Sequence, residues 1–500
     1  MRKVITLIMG VLCLGVNAQT IHDALRYGIQ QEQGTARFQA MGGAFGALGG
    51  DLSALHVNPA GSSIFSTGQF TFTGSINHRN NDTVYGDGFS NATQNNVNIN
   101  QVGGVFVFKS QDSPWKKIAL GFSYDLVEDF DNTLSAVGNT TDGIDNYFLN
   151  FANGVPFENI LLRENESIND AYLNIGSDQG FADQQAFLGY FGGLIDPTDL
   201  DNTSGTSYIS NALYDDVNQT YIQTTNGFNT KLMVNFSGQY KENLHVGASL
   251  NFHSVFFERL TLFNEDGYQT DSPVQFTTFD NLLQTEGNGF SFTIGTIAKV
   301  NENIRVGASY LSPTWYRLVD NTSQRINSTI ADNNINALDF NLINIFDDYR
   351  IKIPAKITGS AAFIFGKNGL LSFDYGYQDF SQAELRPNTD PVFAAENDFI
   401  ASQLGVVNSY RFGGEYRINR ISLRGGYWIE ESPYADSDLI GDLKGFSAGI
   451  GYDFGNSRLD IASTRTEQDM NEFLFDSAAL NNARVNRVNF NFAISYTLKF

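Results

Sequence analysis

Gly445-Phe446-Ser447-Ala448-Gly449 has the Gly-x-Ser-x-Gly spacing of a nucleophile elbow, in which a sharp strand-to-helix turn lifts a serine hydroxyl toward a general base. The flanking residues alternate apolar and polar as a strand does, so Ser447 is expected mid-strand and no catalytic residue is assigned. His245 and His253 share one strand face, but eight residues at about 3.3 Å each hold them too far apart for one metal. His22, His56 and His78 have no ligand spacing. The only cysteine, Cys13, lies in the apolar N-terminal run, which closes thiol chemistry for the mature chain. Asp196, Asp199 and Asp201 are oxygen donors of the kind Ca²⁺ takes, yet they lack EF-hand spacing and read as a solvated loop. No metal and no cofactor is expected.

Basic residues inside apolar strands are more informative. By parity Arg305, Lys352, Lys356, Arg411, Arg424 and Arg487 are expected to face a lumen, with Asp374, Glu415, Glu430, Asp453 and Asp460 as partners. Charge removed from water needs a counter-charge, so the first reading is an ion-pair network that also takes in Arg37 and Asp51. The second is that one of these cations receives the carboxylate of a ligand.

The elements that place these side chains are strands. Val488, Phe490, Phe492, Ile494, Tyr496, Leu498 and Phe500 alternate with polar residues, which is the pattern of a strand wet on one face only. The same period recurs from Phe70 onward, giving about fourteen strands. Tight turns at Lys241-Glu242-Asn243, Asn301-Glu302-Asn303 and Asn419-Arg420 alternate with long polar stretches at 131–226, 258–287 and 318–348. Short turns at one end and long loops at the other, with an even strand count, mark an outer-membrane barrel rather than a sandwich or propeller. The expected fold is all-β: a transmembrane antiparallel β-barrel over residues 66–500, in the bacterial outer membrane, with outer-membrane lipid and lipopolysaccharide around it. With 54 acidic against 31 basic residues and a net charge of -23, the chain lacks the basic footprint that nucleic acid requires. The 42 Phe and 22 Tyr among 500 residues exclude a disordered chain.

Arg2 and Lys3 precede the apolar run Val4 to Val16, and Val16-Asn17-Ala18 is a small-residue cleavage site, so residues 1–18 read as a secretory signal peptide. Position 19 is Gln rather than Cys, which argues against a lipidated N-terminus. Residues 19–65 are not strand-like. Gly34 to Gly61 is rich in Gly and Ala, with Gly42, Gly43 and Asp51 among its members, and leads into the turn Asn58-Pro59-Ala60. Small residues here suit a segment packed tightly inside a barrel.

With these residues in view the sequence resembles the FadL/TodX family of outer-membrane transporters for hydrophobic compounds, and its hatch is similar to that of Bacteroidetes members. The resemblance rests on Asn58-Pro59-Ala60 and, in order, Val306 to Tyr310, Ile353-Pro354-Ala355-Lys356, Leu371 to Ser381 and Leu423 to Pro433. It implies a lumenal hatch ending at the Asn-Pro-Ala motif, monomeric transport of hydrophobic small molecules such as long-chain fatty acids, and no enzymatic activity. It also implies a kinked third strand that opens the wall. In the second strand Val97 and Ile99 share one phase and Val102, Phe106 and Phe108 the other, as a β-bulge produces. The opening is therefore expected near Gly103, Gly104 and Ser123 to Glu128, with Glu128 on the lipid-facing phase. Loop 131–226 holds 14 acidic residues and one basic, Arg163, and its aromatic clusters predict short helices over the barrel mouth. The alternative is a barrel of the same fold that docks a protein partner, like the outer-membrane shuttle protein of type IX secretion.

Overall fold

A computed structural model describes residues 20–29, 31, 33–436, 439–475 and 481–500; the expected signal peptide and Cys13 lie outside the described residues. Fourteen strands make the wall: β1 Gln69–Tyr85, β2 Gly88–Lys109, β3 Trp115–Asp129, β4 Val217–Tyr240, β5 Leu244–Asp266, β6 Phe276–Lys299, β7 Ile304–Leu311, β8 Lys356–Phe365, β9 Gly369–Asp379, β10 Val406–Ile418, β11 Ile421–Glu430, β12 Leu443–Asp453, β13 Ser457–Glu472 and β14 Ala483–Lys499. Each pairs antiparallel with its neighbours, and β1 pairs with β14 from Gln69↔Lys499 to Val84↔Arg484, so the sheet closes on itself as a barrel. Phe70, Phe72, Phe490, Phe492 and Ile494 lie exposed on the outer face while Thr71, Thr73, Ser495 and Thr497 are buried inside. That inversion, apolar outward and polar inward, is what lipid contact outside and a polar lumen inside demand.

The periplasmic turns are tight. At Asn419-Arg420 the asparagine takes φ 54°, a left-handed conformation that its short polar side chain tolerates. At the other end the strands run beyond the apolar band. Most of 258–287 and the first part of 318–348 are strand, because β5, β6 and the Thr314–Ser328 extension of β7 continue as ribbons with polar residues on both faces. The expectation of long loops there is corrected accordingly.

The segment 131–226 folds as a cap. Asn132–Thr140 prolongs β3 and pairs with Val217–Thr225 of β4, and three helices follow, Asp145–Ala152, Ile168–Asp178 and Phe181–Phe191. Their buried Tyr147, Phe148, Phe187 and Leu188 pack on Phe263, Phe279 and Ile326 from the strand tops. Phe148 meets Phe279 edge-on at 5.1 Å. Each such aromatic buried contributes roughly 1.5–3 kcal/mol, which holds the cap over the mouth. Asp196 in this segment accepts from Asn211 Nδ2 at 2.9 Å, and Asp199 accepts from the backbone N–H of Asp201, so both serve the loop's own turns.

Candidate lumenal site and wall opening

The lumen is filled first by the N-terminal segment. Helix α1, Ile21–Gly28, begins with a capping box in which Thr20 accepts from the N–H of His22 and Asp23 accepts from the N–H of Thr20. Helices α2, Ala36–Ala40, and α3, Ala54–Val57, follow, and Asn58 caps the 3₁₀ turn Pro59–Ile64. Asn58 works in three directions. Its Oδ1 accepts from Ala60 N–H at 3.2 Å, and its Nδ2 donates to Gly46 O at 2.8 Å and to Thr296 O on β6 at 2.9 Å. One side chain thus closes the turn, ties the hatch to itself and ties it to the wall. The wall makes room: a Cβ on Gly295 would strike Asn58 Oδ1, and one on Gly426 would strike the backbone at Met41 and Gly42.

A buried ionic chain fastens the hatch. Arg37 Nε donates to Glu415 at 2.9 Å, Glu415 also accepts from Arg424 Nε at 2.6 Å, and Arg424 NH1 reaches Asp460 at 2.8 Å. Arg458 continues the chain to Asp460 at 2.5 Å and to Asp51 at 3.8 Å, and Asp51 in turn accepts from Thr35 Oγ1 at 2.6 Å. Arg305 donates to Leu48 O at 3.1 Å and Asp374 accepts from Gly46 N–H at 2.8 Å, so both are also hatch anchors. Asp453 sits apart, at the periplasmic end, on Lys499 at 2.8 Å.

Among the described residues, the lumenal space beside the hatch includes two cavities. The smaller, about 130 Å³, is lined by His56, Asp125, Lys231, Lys356, Arg411 and Glu430 among others. Glu430 lies between Lys356 at 4.0 Å and Arg411 at 3.7 Å. His56 Nε2 lies 2.8 Å from Asp125; burial nonetheless pushes the imidazole below its ordinary pKa, against the pull of the carboxylate. The larger, about 320 Å³, is lined by the apolar side chains Leu25, Phe130, Phe257 and Met470 together with Arg79, Arg259 and Arg487. Arg487 bonds Asn81 at 3.0 Å and lies 4.0 Å from Glu472. Sequence reasoning passed over Arg79, Lys231 and Arg259. Their signal was parity on β1, β4 and β5, the same signal that picked out Arg411.

The wall is interrupted beside this larger cavity. β2 pairs with β1 from Gly88↔Tyr85 to Val105↔Gln69 but with β3 only from Gln101↔Asp125 to Lys109↔Lys117. Between Thr73 and Gly74 the register slips by one residue on β2, at Asn100, and between Leu126 and Glu128 it slips on β3, at Val127. Two bulges aim the strands apart. Backbone pairing gives way to side chains: Asn96 and Asn98 donate to Asp129 at 3.0 and 2.6 Å, and Arg79 donates to Asp131 O at 2.7 Å. On the outside stands Val97, 82% exposed.

Residues 191–498 match the family described as outer membrane protein transport protein (OMPP1/FadL/TodX). The chain belongs to that family. Among solved structures, a Pseudomonas aeruginosa FadL homologue superposes with TM-score 0.56 at 13% identity, covering 95% of this chain and 100% of the other. The Pseudomonas putida toluene transporter TodX superposes with TM-score 0.51 at 13% identity, covering 95% and 100%. No curated protein matches the chain significantly. The FadL-type fold and family membership place this chain in the outer membrane as a transport protein.

Within this FadL-type barrel two expected positions move. Lys352 does not face the lumen. Its strand breaks at Pro354-Ala355, so Tyr349–Ile353 turns Ile351 and Ile353 inward onto helix α1 and Lys352 outward beside Trp315, near Glu384 at 3.6 Å. Glu128 does not face lipid either: the bulge at Val127 turns it inward, where it accepts from Gln31 N–H at 3.0 Å and Gln31 Nε2 at 2.7 Å. Gly103 and Gly104 stand in regular ladder opposite Ser123 and Phe122, just below the interruption. Ser123 is buried and donates to Asp125 at 2.8 Å. Ser447 is a mid-strand residue of β12, opposite Gly426 and Thr464.

Proposed function

We propose that this protein carries hydrophobic small molecules with an anionic end, such as long-chain fatty acids, from the cell exterior into the lumen and out through the β2–β3 interruption. The observation that carries the reading is the juxtaposition of that interruption with the larger cavity, since Arg79, Asp129 and Asn132 belong to both. At about 320 Å³ the cavity falls within the ~300–1,000 Å³ of small-molecule sites. Its apolar side chains suit an alkyl chain, and Arg79, Arg259 and Arg487 suit a carboxylate in a low-dielectric site, where an unpaired charge is costly. The family supplies the transport role. Entry at the cap, passage along the lumen and release through the wall then need only the ligand's own partitioning between water and lipid.

Uptake of radiolabelled oleate by cells producing the protein, with Arg487→Ala alongside, tests this. Oleate uptake that exceeds an empty-vector control and falls with the variant is expected; uptake equal to the control sinks the reading. A second reading, docking of a protein partner, is favoured by the closed helical cap over the mouth. A stable protein partner that copurifies with a barrel free of lipid, as read by mass spectrometry, selects it.

A further inference from the structure

The outer face of the wall carries a second feature that transport does not use. Where β7 passes Ser312-Pro313 into Thr314–Ser328, and β8 is preceded by Tyr349–Ile353, the adjoining short strand Glu384–Arg386 adds a third member. Register aligns Arg317 with Arg350 and Arg350 with Arg386. Three arginines therefore stand abreast, with the Arg317 and Arg386 side chains 63% and 48% exposed. All three point outward, because Tyr316, Leu318, Ile351 and Leu385 between them are buried against the hatch side.

One pleat toward the periplasm, register aligns Phe252, Phe290, Trp315, Lys352 and Glu384. Phe252 and Phe290 are 5.5 Å apart, ring to ring, and all three aromatics are exposed. Phe290 lies about nine residues up β6 from Lys299, close to the ~9–11 residues with which a tilted strand crosses the hydrocarbon. The aromatic row is thus at the outer interface and the arginine row at headgroup level. Together they line a recess of about 550 Å³.

Charge singles the patch out further. In a chain of net charge -23, Arg317, Arg350, Arg386 and Lys352 meet here. Asp348 takes Arg317 at 2.6 Å, and Glu384 takes Arg386 at 2.9 Å and Lys352 at 3.6 Å; Glu286 stands one row further out. Arg350 bonds none of the described residues. The patch keeps a positive balance, and the Arg350 guanidinium, which acts on Asp348 through charge alone, keeps its donors open as a fork that matches phosphate oxygens bidentately. Three strands at about 4.8 Å spacing make the row roughly 10 Å long, which suits a headgroup with two phosphates better than one with a single phosphate.

We propose that this recess binds a bis-phosphorylated lipid A of the outer leaflet, phosphates on the Arg317–Arg350–Arg386 row and an acyl chain along Trp315, Phe290 and Phe252. The purified full chain in detergent is offered bis-phosphorylated lipid A, dephosphorylated lipid A or phosphatidylglycerol, and retained lipid is read by native mass spectrometry. Retention of the bis-phosphorylated form alone, weakened about tenfold in Arg350→Gln and lost in the triple change R317Q/R350Q/R386Q, is expected. Heat-modifiable gel migration checks that each variant is a folded barrel. Should the triple variant not fold, Arg350→Gln decides alone, because that side chain holds nothing else in place. Equal retention of phosphatidylglycerol, or lipid A retention unchanged in a folded Arg350→Gln, overturns the assignment.

Discussion

Arg37 on the hatch donates through Nε to Glu415 on the wall at 2.9 Å, and Glu415 is at the same time held by Arg424 at 2.6 Å. All three side chains are buried. A plug of about forty-five residues with little regular helix is fixed at this point by charge rather than by apolar area, because both partners sit where water cannot screen them.

Breaking that link is expected to unseat the hatch. Arg37→Ala leaves Glu415 with Arg424 and Arg417, whereas Glu415→Ala strands Arg37 beside Asp51 at 3.8 Å and takes from Arg424 its nearest acid. Removing one partner of a buried pair costs about 3–5 kcal/mol, so Glu415→Ala should be the more damaging. Limited proteolysis within residues 20–65 of the purified barrel measures it. Equal protection in wild type and both variants refutes the assignment of the hatch anchor.

Asn58→Ala removes four hydrogen bonds at once, to Ala60, Gly46, Thr296 and, at 3.5 Å, Ala308. The turn and the wall contact should loosen together, since buried backbone carbonyls left without a donor cost about 1–3 kcal/mol each. Swelling of liposomes in unrelated sugars is expected to rise. Unchanged swelling with unchanged ligand uptake reduces the motif to a folding turn.

These anchors were partly legible. Parity placed Arg411, Arg424 and Glu415 in the lumen because apolar residues on those strands face lipid without interruption. Parity failed at Glu128 because of the bulge at Val127 and at Lys352 because its strand breaks at Pro354-Ala355, in each case between the residue and the stretch that set its phase. At Lys352 a second effect compounded it: Ile351 and Ile353 are apolar because they pack on the hatch helix, not because they touch lipid. The slip between Ile99 and Val102 was readable, and its source is Asn100, one residue beyond Ile99. Wall glycines such as Gly295 and Gly426 carried the reverse signal, a place where hatch backbone presses on a strand, and it becomes readable only once the hatch path is known. The extended ribbons above the membrane looked like loops because polar residues occur on both their faces and the apolar ones, such as Phe263, Phe279 and Ile326, face the cap rather than lipid.

The orientation rests on the contrast between turns and cap. Asn202 in the cap segment and Glu242 in the β4–β5 turn are both exposed. Asn202→Cys in intact cells should react with a membrane-impermeant maleimide, and Glu242→Cys should react only after lysis. Reaction at Glu242→Cys in intact cells reverses the barrel.

The wall interruption offers the most direct test of the exit. Asn98 Nδ2 and Asp129 Oδ2 are 2.6 Å apart across it, so cysteines at both positions are placed to approach each other. With no cysteine after residue 13 in the wild-type chain, N98C/D129C is the only pair that oxidation can join. Its closure should leave barrel assembly intact, because the β1–β2 and β3–β4 ladders on either side are complete. Hydrophobic uptake is expected to fall to background on oxidation and to return with reductant, while ligand binding by the purified protein persists. Uptake that survives full oxidation, shown by gel shift, would place the exit at the periplasmic end, past the hatch that Arg37 and Glu415 hold.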